Sequence, residues 1–450
     1  MLRGTQLDPP GGGGRHHLGD LIMSQRAKLF RSLAHCLTGA IFTLVLFPSQ
    51  SHATTRLVGP SRTYTTIRAA AQACQNGDTV LVDPGTYTND VATWSSSNLL
   101  VRAATSTKPH LIANGSIENN MGVWRVSPSA TGFTADGFEI EGAVSTSGNG
   151  AAIRVESGTV GLTTIRNCYF HDNQMNILAA PESLLVEKCE LYHTLPTTVC
   201  DPVCRDGNEH NIYVNTSACH WVMFRYNYSH ASWVGHEFKS RATNTWVVYN
   251  RLADENGTAG YVVDIPDGGR SYIIGNVIVQ GVNSPNSGIV AYAAESAGNG
   301  TLDLYVINNT IVNDQASGGT FLQLRAGTTA KVNNNIFYGP GTSWTGGIVV
   351  ASNNYFEGAR NNGARFLNPA AYDYHLTSAS PLSILNAGIV PGLSITGYNL
   401  MPTSQYVYDL QEAQRSLTGL LDVGAFEYGS GSGGPPDVSS PSAVRDLRNR

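Results

Sequence analysis

The chain has 450 residues, enough for one large domain or for two to three ordinary ones. Charged residues make up 14% of it and glycine occurs 48 times, which favours many short elements and turns over long charged helices. Its formal net charge of −5 argues against a general binding surface for nucleic acid or for anionic membranes.

The N-terminal end is predicted to lie outside the folded domain. Residues 1–22 show no periodic apolar pattern, and we expect translation to start at Met23. Basic residues then precede an apolar run and small residues that end at Ala53, which is the pattern of a secretory signal peptide over 23–53. The apolar run is shorter than the roughly 20 residues that span a bilayer. We therefore expect a secreted protein, periplasmic, extracellular or at the cell surface, with no stable membrane insertion.

Export permits disulfide bonds, and six of the seven cysteines follow the predicted signal peptide. Cys200, Cys204 and Cys219 flank one polar segment, and we expect a bridge among them. The spacing between the first two lacks the second ligand pair that a structural zinc site needs, so metal binding is not predicted there.

An imperfect repeat occupies most of the chain after residue 165. Each copy is β-branched or apolar, then polar, then apolar again, and the copies follow one another at steps of 19 to 38 residues. A step in the low twenties with short strands is one coil of a parallel β-helix, and longer steps mean inserted loops. The central polar position is occupied in turn by Cys168, Cys189, Asn227, Asn250, Asn276, Asn309, Asn335 and Asn354. We expect the asparagines to adopt the left-handed conformation and to bond to one another as a structural ladder, with the cysteines buried in the same column.

Two further stretches carry a family resemblance. The segment "YTTIRAAAQACQNGDTVLVDPGTY" (64–87) resembles the entry of right-handed β-helix proteins of the pectate-lyase superfamily, and segments 372–389 and 422–428 resemble their closing segments. The resemblance covers about 54–428. It implies an all-β protein, a single-stranded right-handed parallel β-helix with an N-terminal capping helix. The remaining residues, 429–450, read as a Gly/Ser/Pro-rich linker.

The candidate site follows from aligning three coils, 209–215, 235–241 and 260–266. Alternate residues of a strand share a face. The alignment therefore turns Ile212 and Phe238 inward and forms one outward column from three side chains. That column consists of Tyr213, Lys239 and Asp264, with Asn211, Asn215, Glu237 and Arg241 predicted outward beside it.

Two histidines belong to the same coils. His210 and His236 have inward parity, and a core role and a catalytic role stay equally open for them. Lys239 is one of only four lysines after the signal peptide and falls in the densest cluster of His, Tyr and charged residues. This placement favours a functional site over an ordinary solvated strand face, whose ion pairs contribute little.

The residue types suit β-elimination from a uronic-acid-containing polysaccharide. Removing the weakly acidic C5 proton requires a cation that neutralises the adjacent carboxylate and a base that is partly deprotonated near neutral pH. A lysine next to an arginine and away from solvent is expected to have a lowered pKa. The candidate catalytic residues are therefore Lys239, Arg241, Tyr213, His210 and His236, and the candidate substrate-binding residues are Asn211, Asn215 and Arg270.

The stretch "HEFKSRATN" is also similar to a strand of chondroitinase-B and alginate lyases. That resemblance implies that Lys239 is the base and that Ca²⁺, bound by acidic residues, neutralises the substrate carboxylate. Glu237 and Asp264 are the candidate ligands. Where those enzymes have an arginine about one coil later, this chain has Asp264, and its nearest arginines are Arg241 and Arg270.

Three alternatives remain open from the sequence. A glycoside hydrolase could use Glu237 and Asp264 as its two carboxylates. A C5-epimerase would share the first step of the lyase. A non-catalytic, glycan-binding surface β-helix would use aromatic side chains near the site, namely Trp221, Trp233 and Trp246. An acidic polysaccharide is the expected partner in the lead reading, nucleic acid is not expected, and the oligomeric state stays open.

Overall fold

The computed structural model describes residues 53–115, 117–194, 209–408, 410–417 and 419–429. Residues 1–22, the predicted signal peptide apart from Ala53, the predicted linker after Gly429, and both Cys200 and Cys204 lie outside the described residues. Cys219 is a free, buried thiol.

Short strands dominate the described chain. Up to residue 194 the elements are β1 (Thr55–Val58), α1 (Ile67–Ala73), β2 (Thr79–Val82), β3 (Thr86–Thr88), β4 (Ala92–Trp94), β5 (Leu100–Ala103), β6 (His110–Ile112), β7 (Gly122–Val126), β8 (Thr134–Asp136), β9 (Glu139–Glu141), β10 (Ala151–Val155), β11 (Leu162–Arg166), β12 (Tyr169–His171), β13 (Met175–Ala179), β14 (Ser183–Glu187) and β15 (Glu190–Tyr192).

From residue 209 onward the strands continue in the same rhythm. They are β16 (Ile212–Val214), β17 (Trp221–Arg225), β18 (Tyr228–His230), β19 (Phe238–Ser240), β20 (Asn244–Val248), β21 (Arg251–Ala253), β22 (Val263–Ile265), β23 (Gly269–Ile274), β24 (Val277–Gln280), β25 (Gly288–Tyr292), β26 (Leu302–Ile307), β27 (Thr310–Asn313), β28 (Thr320–Leu324), β29 (Thr329–Asn333), β30 (Ile336–Tyr338), β31 (Thr342–Thr345), β32 (Ile348–Ser352), β33 (Tyr355–Glu357), β34 (Phe366–Asn368), a 3₁₀ helix (Pro369–Ala371), β35 (Asp373–Leu376), β36 (Ser404–Val407) and β37 (Gln411–Gln414).

The strands form three long parallel sheets. From β2 to β33, successive strands enter the three sheets in rotation, and each strand pairs in parallel with the strand three further along the chain. The sheets have twelve, ten and eleven strands. One circuit through all three sheets is one coil, so the predicted parallel β-helix is confirmed by the strand pairing. The right-handed sense of its winding stays an expectation from the resemblance.

The single α-helix of the described residues lies where the capping helix was predicted. Thr66 is its N-cap, with a side-chain oxygen that accepts from the Ala69 N–H at 3.2 Å. Ile67, Ala70 and Ala71 are buried and belong to the main hydrophobic core. The helix thus presents an apolar face to the first coils, as its amphipathic sequence requires.

The asparagine ladder is present in the interior. Each ladder asparagine from Asn227 to Asn335 donates its backbone N–H and its side-chain NH₂ to the side-chain oxygen of the next one, at 2.9–3.1 Å. Cys168 and Cys189 lie in the same column and are buried. The left-handed backbone conformation belongs to the preceding residue, for example Tyr249 at φ 56°, so our assignment of it to the asparagines was wrong.

The C-terminal segments pack on the outside of two sheets. Apolar residues of 364–384, 406 and 423–426 pack on the outer face of the eleven-stranded sheet, where valines and isoleucines point outward from β24, β27 and β30. Leu400 packs on the outer face of the twelve-stranded sheet, against Tyr272 and Tyr305. The side chain of Arg415 is fully buried and donates to the carbonyls of Gly424 and Ala425, which holds the segment together. The Ala425 N–H donates to the Thr310 hydroxyl on β27 at 3.1 Å, which attaches the segment to the sheet. An outward apolar row needs such a cover, because it would otherwise expose a large hydrophobic patch.

Candidate active site

The predicted site lies on the outer face of the ten-stranded sheet, on the neighbouring strands β16, β19 and β22. Tyr213 pairs with Lys239, and Lys239 pairs with Asp264, so the predicted column is confirmed. Ile212 and Phe238 are buried in the main core, as their parity predicts. Strands one coil apart lie about 4.8 Å from each other, which brings the three outward side chains into contact range.

A tight turn at Val234 and Gly235 precedes β19. Val234 has a φ of 76°, which a β-branched residue seldom adopts, so the surrounding structure must hold this turn in place. At Gly235 a Cβ would lie 2.4 Å from the carbonyl oxygen of Glu209, and any larger residue would push the two coils apart. The glycine therefore fixes how closely His236 stacks on the coil before it.

Lys239 is held between two carboxylates. Its Nζ lies 3.2 Å from Asp264 Oδ2 and 3.2 Å from Glu295 Oε1, and its side chain is only 11% exposed. Burial lowers the pKa of Lys239, but the two anions outweigh it and the net pKa is raised above the ordinary value. The predicted lowering of this pKa is therefore wrong: Lys239 is a stable cation here.

Arg241 reaches three partners on the same face. Its Nε donates to Tyr213 Oη at 2.7 Å, its Nη1 to Asp267 Oδ1 at 2.9 Å and its Nη2 to Glu295 Oε2 at 2.5 Å. Burial lowers its pKa, while these partners raise it to well above the ordinary value. Because the Tyr213 oxygen accepts from Arg241, its own hydrogen is left to donate to another group.

One carboxylate therefore connects the two cations. Glu295 binds Lys239 through one oxygen and Arg241 through the other, and its side chain remains 50% exposed. It stands on the turn that follows β25, and that turn is tied down by Ser296, whose hydroxyl donates to Asp267, and by Asn299. Burial raises the pKa of Glu295, but the hydrogen bonds and charges of Arg241 and Lys239 together outweigh burial, and the net pKa is lowered.

The two histidines form a stack that leads to the site. Their ring centroids lie 4.8 Å apart, and the His210 ring packs edge-on to the Tyr213 ring with 5.1 Å between the centroids. His210 Nδ1 accepts from the His236 N–H, and His236 Nδ1 accepts from the Tyr261 N–H, both at 3.0 Å. These bonds leave Nε2 as the protonated nitrogen of the neutral rings.

Burial keeps both imidazoles neutral. It lowers the pKa of His236 to about 3, with Lys239 adding to the effect, and it lowers the pKa of His210 well below its usual range. His236 Nε2 faces Asp264 Oδ2 at 3.4 Å. His236 therefore helps to hold Asp264, whose own pKa burial raises to about 6 although Lys239 lowers it.

Glu237 and Asn211 do not lie on the outer face, contrary to prediction. Both are fully buried, and Asn211 donates to Glu237 Oε2 at 2.5 Å. Ser229 and the Ser232 N–H also donate to the Glu237 carboxylate. Burial, with the charge of Asp254, raises the pKa of Glu237 to about 8. These two residues precede their strands, at a corner where the two-residue alternation no longer applies.

The candidate calcium ligands consequently do not come together. The carboxylate oxygens of Glu237 accept hydrogen bonds from interior donors, while Asp264 binds Lys239 and His236 on the outer face. Ca²⁺ takes six to eight oxygen ligands, and this pair does not offer a shared set. Glu237 with Asp264 does not fit as a hydrolytic carboxylate pair either, because Glu237 is sealed from substrate.

The remaining predicted residues fall on different faces. Arg270 lies on β23 of the twelve-stranded sheet and pairs with Asp303 at 3.4 Å, away from the site. Asn215 is exposed at the end of β16 and lines a cavity of about 470 Å³ together with Arg154. Arg154 occupies the same column as Tyr213, two strands earlier in the sheet.

The arginine column extends the site toward the N-terminal coils. Arg125 pairs in register with Arg154, and both guanidinium groups share one carboxylate, Glu156, at 3.4 and 3.7 Å. Burial, with Arg125 adding to it, lowers the pKa of Arg154. Two cations for one anion leave a net positive stretch beside the cavity. Aligning "AAIRV" with the later coils would have revealed Arg154, whereas no local signal marked Glu295.

No family model and no curated protein matches this chain. Similar solved structures include the pectate lyase Pel9A, with 15% identity over 84% of this chain and 97% of that chain and a TM-score of 0.49. A rhamnogalacturonan lyase shows 13% identity over 71% and 92% with a TM-score of 0.46, and a PL6 alginate lyase in complex with a trisaccharide shows 12% over 70% and 82% with 0.37. Likeness at these values carries no activity across, so function has to be argued from the site. No helix among the described residues is long and apolar enough to cross a membrane.

Proposed function

We propose that this protein is a secreted polysaccharide lyase that cleaves a uronic-acid-containing polysaccharide by β-elimination on the outer face of the ten-stranded sheet. One observation carries the proposal: the carboxylate of Glu295 bridges Lys239 and Arg241 directly beside the hydroxyl of Tyr213. Two cations that already hold a carboxylate, next to a proton-transfer group, are what the elimination of a uronate requires.

Glu295 marks where the substrate carboxylate binds. Its half-exposed side chain can turn out to solvent, while Lys239 and Arg241 are held by Asp264 and Asp267 and stay in place. A uronate carboxylate entering from solvent then takes over both ion pairs. As negative charge spreads from C5 into that carboxylate, the fixed cations stabilise it more strongly than they stabilise the ground state.

Tyr213 is the proton-transfer residue in this mechanism. Arg241 donates to its oxygen at 2.7 Å, and the Lys239 Nζ lies 5.4 Å from its ring centroid, so the hydroxyl lies beside the two cations that would hold the uronate carboxylate. Tyr213 acts in its phenolate form: its oxygen removes the C5 proton, the bond from C4 to the glycosidic oxygen breaks, and a C4–C5 double bond forms. The proton then passes from Tyr213 to the leaving oxygen, which balances the step.

This assignment moves the role of base away from Lys239. The resemblance implies a lysine base, but the anions that surround Lys239 hold it protonated. In our proposal Lys239 instead binds the uronate carboxylate together with Arg241. Calcium stays an expectation of the resemblance alone, and no step of the mechanism runs through a metal.

The net positive stretch formed by Arg125 and Arg154 sets the direction in which the acidic polysaccharide lies across the sheet in our proposal. Arg125, Arg154 and Tyr213 project from the same face, and Asn215 lies between the arginines and the reacting centre at the edge of the cavity. We propose that uronates on one side of the cleaved bond bind there. The predicted signal peptide would deliver the enzyme to such an extracellular polymer.

A second candidate is hydrolysis, favoured by one observation. Asp264 and Glu295 each lie 3.2 Å from the same Nζ, which places them near the separation of about 5–10 Å used by glycoside hydrolases. Burial raises the pKa of Asp264 to about 6, as an acid catalyst needs, whereas the pKa of Glu295 is lowered. Asp264 is almost inaccessible to solvent, however, so we favour lyase activity over hydrolysis.

The first test incubates purified protein with a panel of uronic-acid polysaccharides, with and without Ca²⁺ and with a chelator. A rise in the absorbance of the unsaturated uronate identifies a lyase. New reducing ends without that absorbance identify a hydrolase, and deuterium incorporation at C5 without cleavage identifies an epimerase. Binding with none of these products would support a glycan-binding protein and refute the proposal.

Two variants separate the roles within the site. Lys239→Arg keeps the positive charge but cannot act as a base at assay pH, so it should retain measurable activity if Lys239 binds the carboxylate. Tyr213→Phe should remove the activity. A dead Lys239→Arg beside an active Tyr213→Phe, with both folded by circular dichroism, would return the role of base to Lys239.

A further inference from the structure

A second cluster of ionisable side chains lies on a different face, the outer face of the eleven-stranded sheet. We call it the histidine cluster, and it consists of His110, Glu139, Glu141 and His171. His110 is on β6, the two glutamates are on β9 and His171 is on β12, so the cluster spans three consecutive coils. The covering C-terminal segment packs on later coils of this sheet and leaves the cluster open to solvent.

The donor atoms of the cluster have the spacing of a tetrahedral metal site. His110 Nε2 lies 3.5 Å from Glu141 Oε1 and 3.6 Å from Glu139 Oε1, and His171 Nε2 lies 3.3 Å from Glu139 Oε1. Two ligands bound to zinc at about 2.1 Å with a tetrahedral angle are about 3.4 Å apart. Among the described residues, one group of three possible ligands has donor atoms that all lie within 4.8 Å of one another, and it consists of His110, Glu141 and His171, with Glu139 beside it.

An unsatisfied nitrogen points into the same space. The Nε2 atom of His110 is buried and has no hydrogen-bond partner among the described residues, although the side chain as a whole is 28% exposed. A buried nitrogen without a partner costs free energy unless something binds it. The lone pair of a neutral imidazole there faces the two glutamates, where a cation would satisfy it.

The surrounding residues complete the arrangement. His171 Nδ1 lies 2.9 Å from Asp172 Oδ2, and the other oxygen of that aspartate binds His193 Nδ1 at 2.8 Å. A carboxylate on the second nitrogen of a ligating histidine orients the ring and increases its basicity, which is the usual outer support of a metal site. The Tyr169 ring stacks on His171 at 4.5 Å and restricts its rotation.

We propose that the histidine cluster is a binding site for a divalent transition metal ion of the zinc class. Two imidazoles and the Glu141 carboxylate form a mixed nitrogen and oxygen donor set, with Glu139 next to it, and such a set suits zinc better than calcium or magnesium, whose ligands are oxygens. The ion joins three successive coils through their side chains. It therefore stabilises the N-terminal half of the β-helix and takes no part in the chemistry at Lys239.

The test titrates the purified, chelator-treated chain with Zn²⁺ by calorimetry and with Co²⁺ by visible absorption. We expect one ion per chain, a tetrahedral Co²⁺ spectrum and a raised melting temperature with Zn²⁺. His110→Gln should weaken Zn²⁺ binding by at least about 100-fold, and Asp172→Asn, which acts through His171, by about 10- to 100-fold. Binding should also weaken at acidic pH, because the imidazoles must be neutral to ligate.

The matched control is His220→Gln. His220 also faces a glutamate, Glu182, at 3.6 Å, but it lies outside the cluster, and its replacement should leave Zn²⁺ affinity unchanged. Circular dichroism and the metal-free melting temperature confirm that each variant folds. The proposal is overturned if the wild-type chain takes up no Zn²⁺, or if His110→Gln binds it as tightly as His220→Gln does.

Discussion

The proposed lyase mechanism predicts that replacing Glu295 by glutamine raises activity, because in that mechanism the wild-type side chain competes with the substrate carboxylate for the same two cations. A charge pair at 3.2 Å is worth about 1.3 kcal/mol at the dielectric constant of water. Glu295 is half exposed, and measured pairs of that kind contribute about 0.2–1 kcal/mol each. Its two pairs together therefore cost the substrate about 1 kcal/mol, which is roughly a fivefold change in affinity.

The assay follows initial rates by the absorbance of the unsaturated uronate on whichever polymer the panel identifies. Glu295→Gln should lower KM about fivefold with little change in kcat, and the gain should shrink as salt is added. Glu182→Gln, which removes a partly exposed glutamate elsewhere on the chain, should leave both constants unchanged. An unchanged or higher KM for Glu295→Gln would show that its carboxylate does not occupy the substrate position, and the clamp reasoning would fail.

Three further outcomes are expected. Tyr213→Phe should lower kcat by at least about 100-fold while KM changes little, because general acid–base catalysis supplies about 10²–10⁴-fold; a loss under tenfold in stopped assays would contradict its role. Arg154→Gln should raise KM for long polymers several-fold, whereas the control Arg270→Gln, on the twelve-stranded sheet, should not; equal effects would remove the arginine column from the binding face. Asn276→Ala should lower the free energy of unfolding by about 3–5 kcal/mol in urea titrations, because it leaves several buried hydrogen-bonding groups without a partner. The control Asn244→Ala, at a partly exposed position, should cost under about 1 kcal/mol, and similar costs for both would mean that the ladder adds little.

The fold could be predicted from the sequence because the pattern that specifies it is local and repeats in every coil. The asparagine position recurs once per coil, and within each strand the side chains alternate between core and surface. That was sufficient to place Tyr213, Lys239 and Asp264 in one column, and the strand pairing confirms the register. The left-handed backbone conformation, which we had assigned to the ladder asparagines, occurs one residue earlier in the chain.

The same alternation failed where strands end. Glu237 and Asn211 have the parity of outward residues but lie at the corner before β19 and β16, where the chain turns and both side chains point into the interior. Burial at a corner depends on how the coils stack there, and a two-residue period carries no information about it.

The sequence by itself determined which residues share a coil position: the asparagine ladder, the core face and the column of Tyr213, Lys239 and Asp264. Only the tertiary structure brought Glu295 to Lys239 across 56 residues, and His110 to Glu139 and His171 across three coils. These contacts depend on loop paths and on the distance between stacked coils. The tertiary structure also determines the pKa of Lys239, because the pKa of an ionisable group depends on the charges near it in space and not on those near it in sequence.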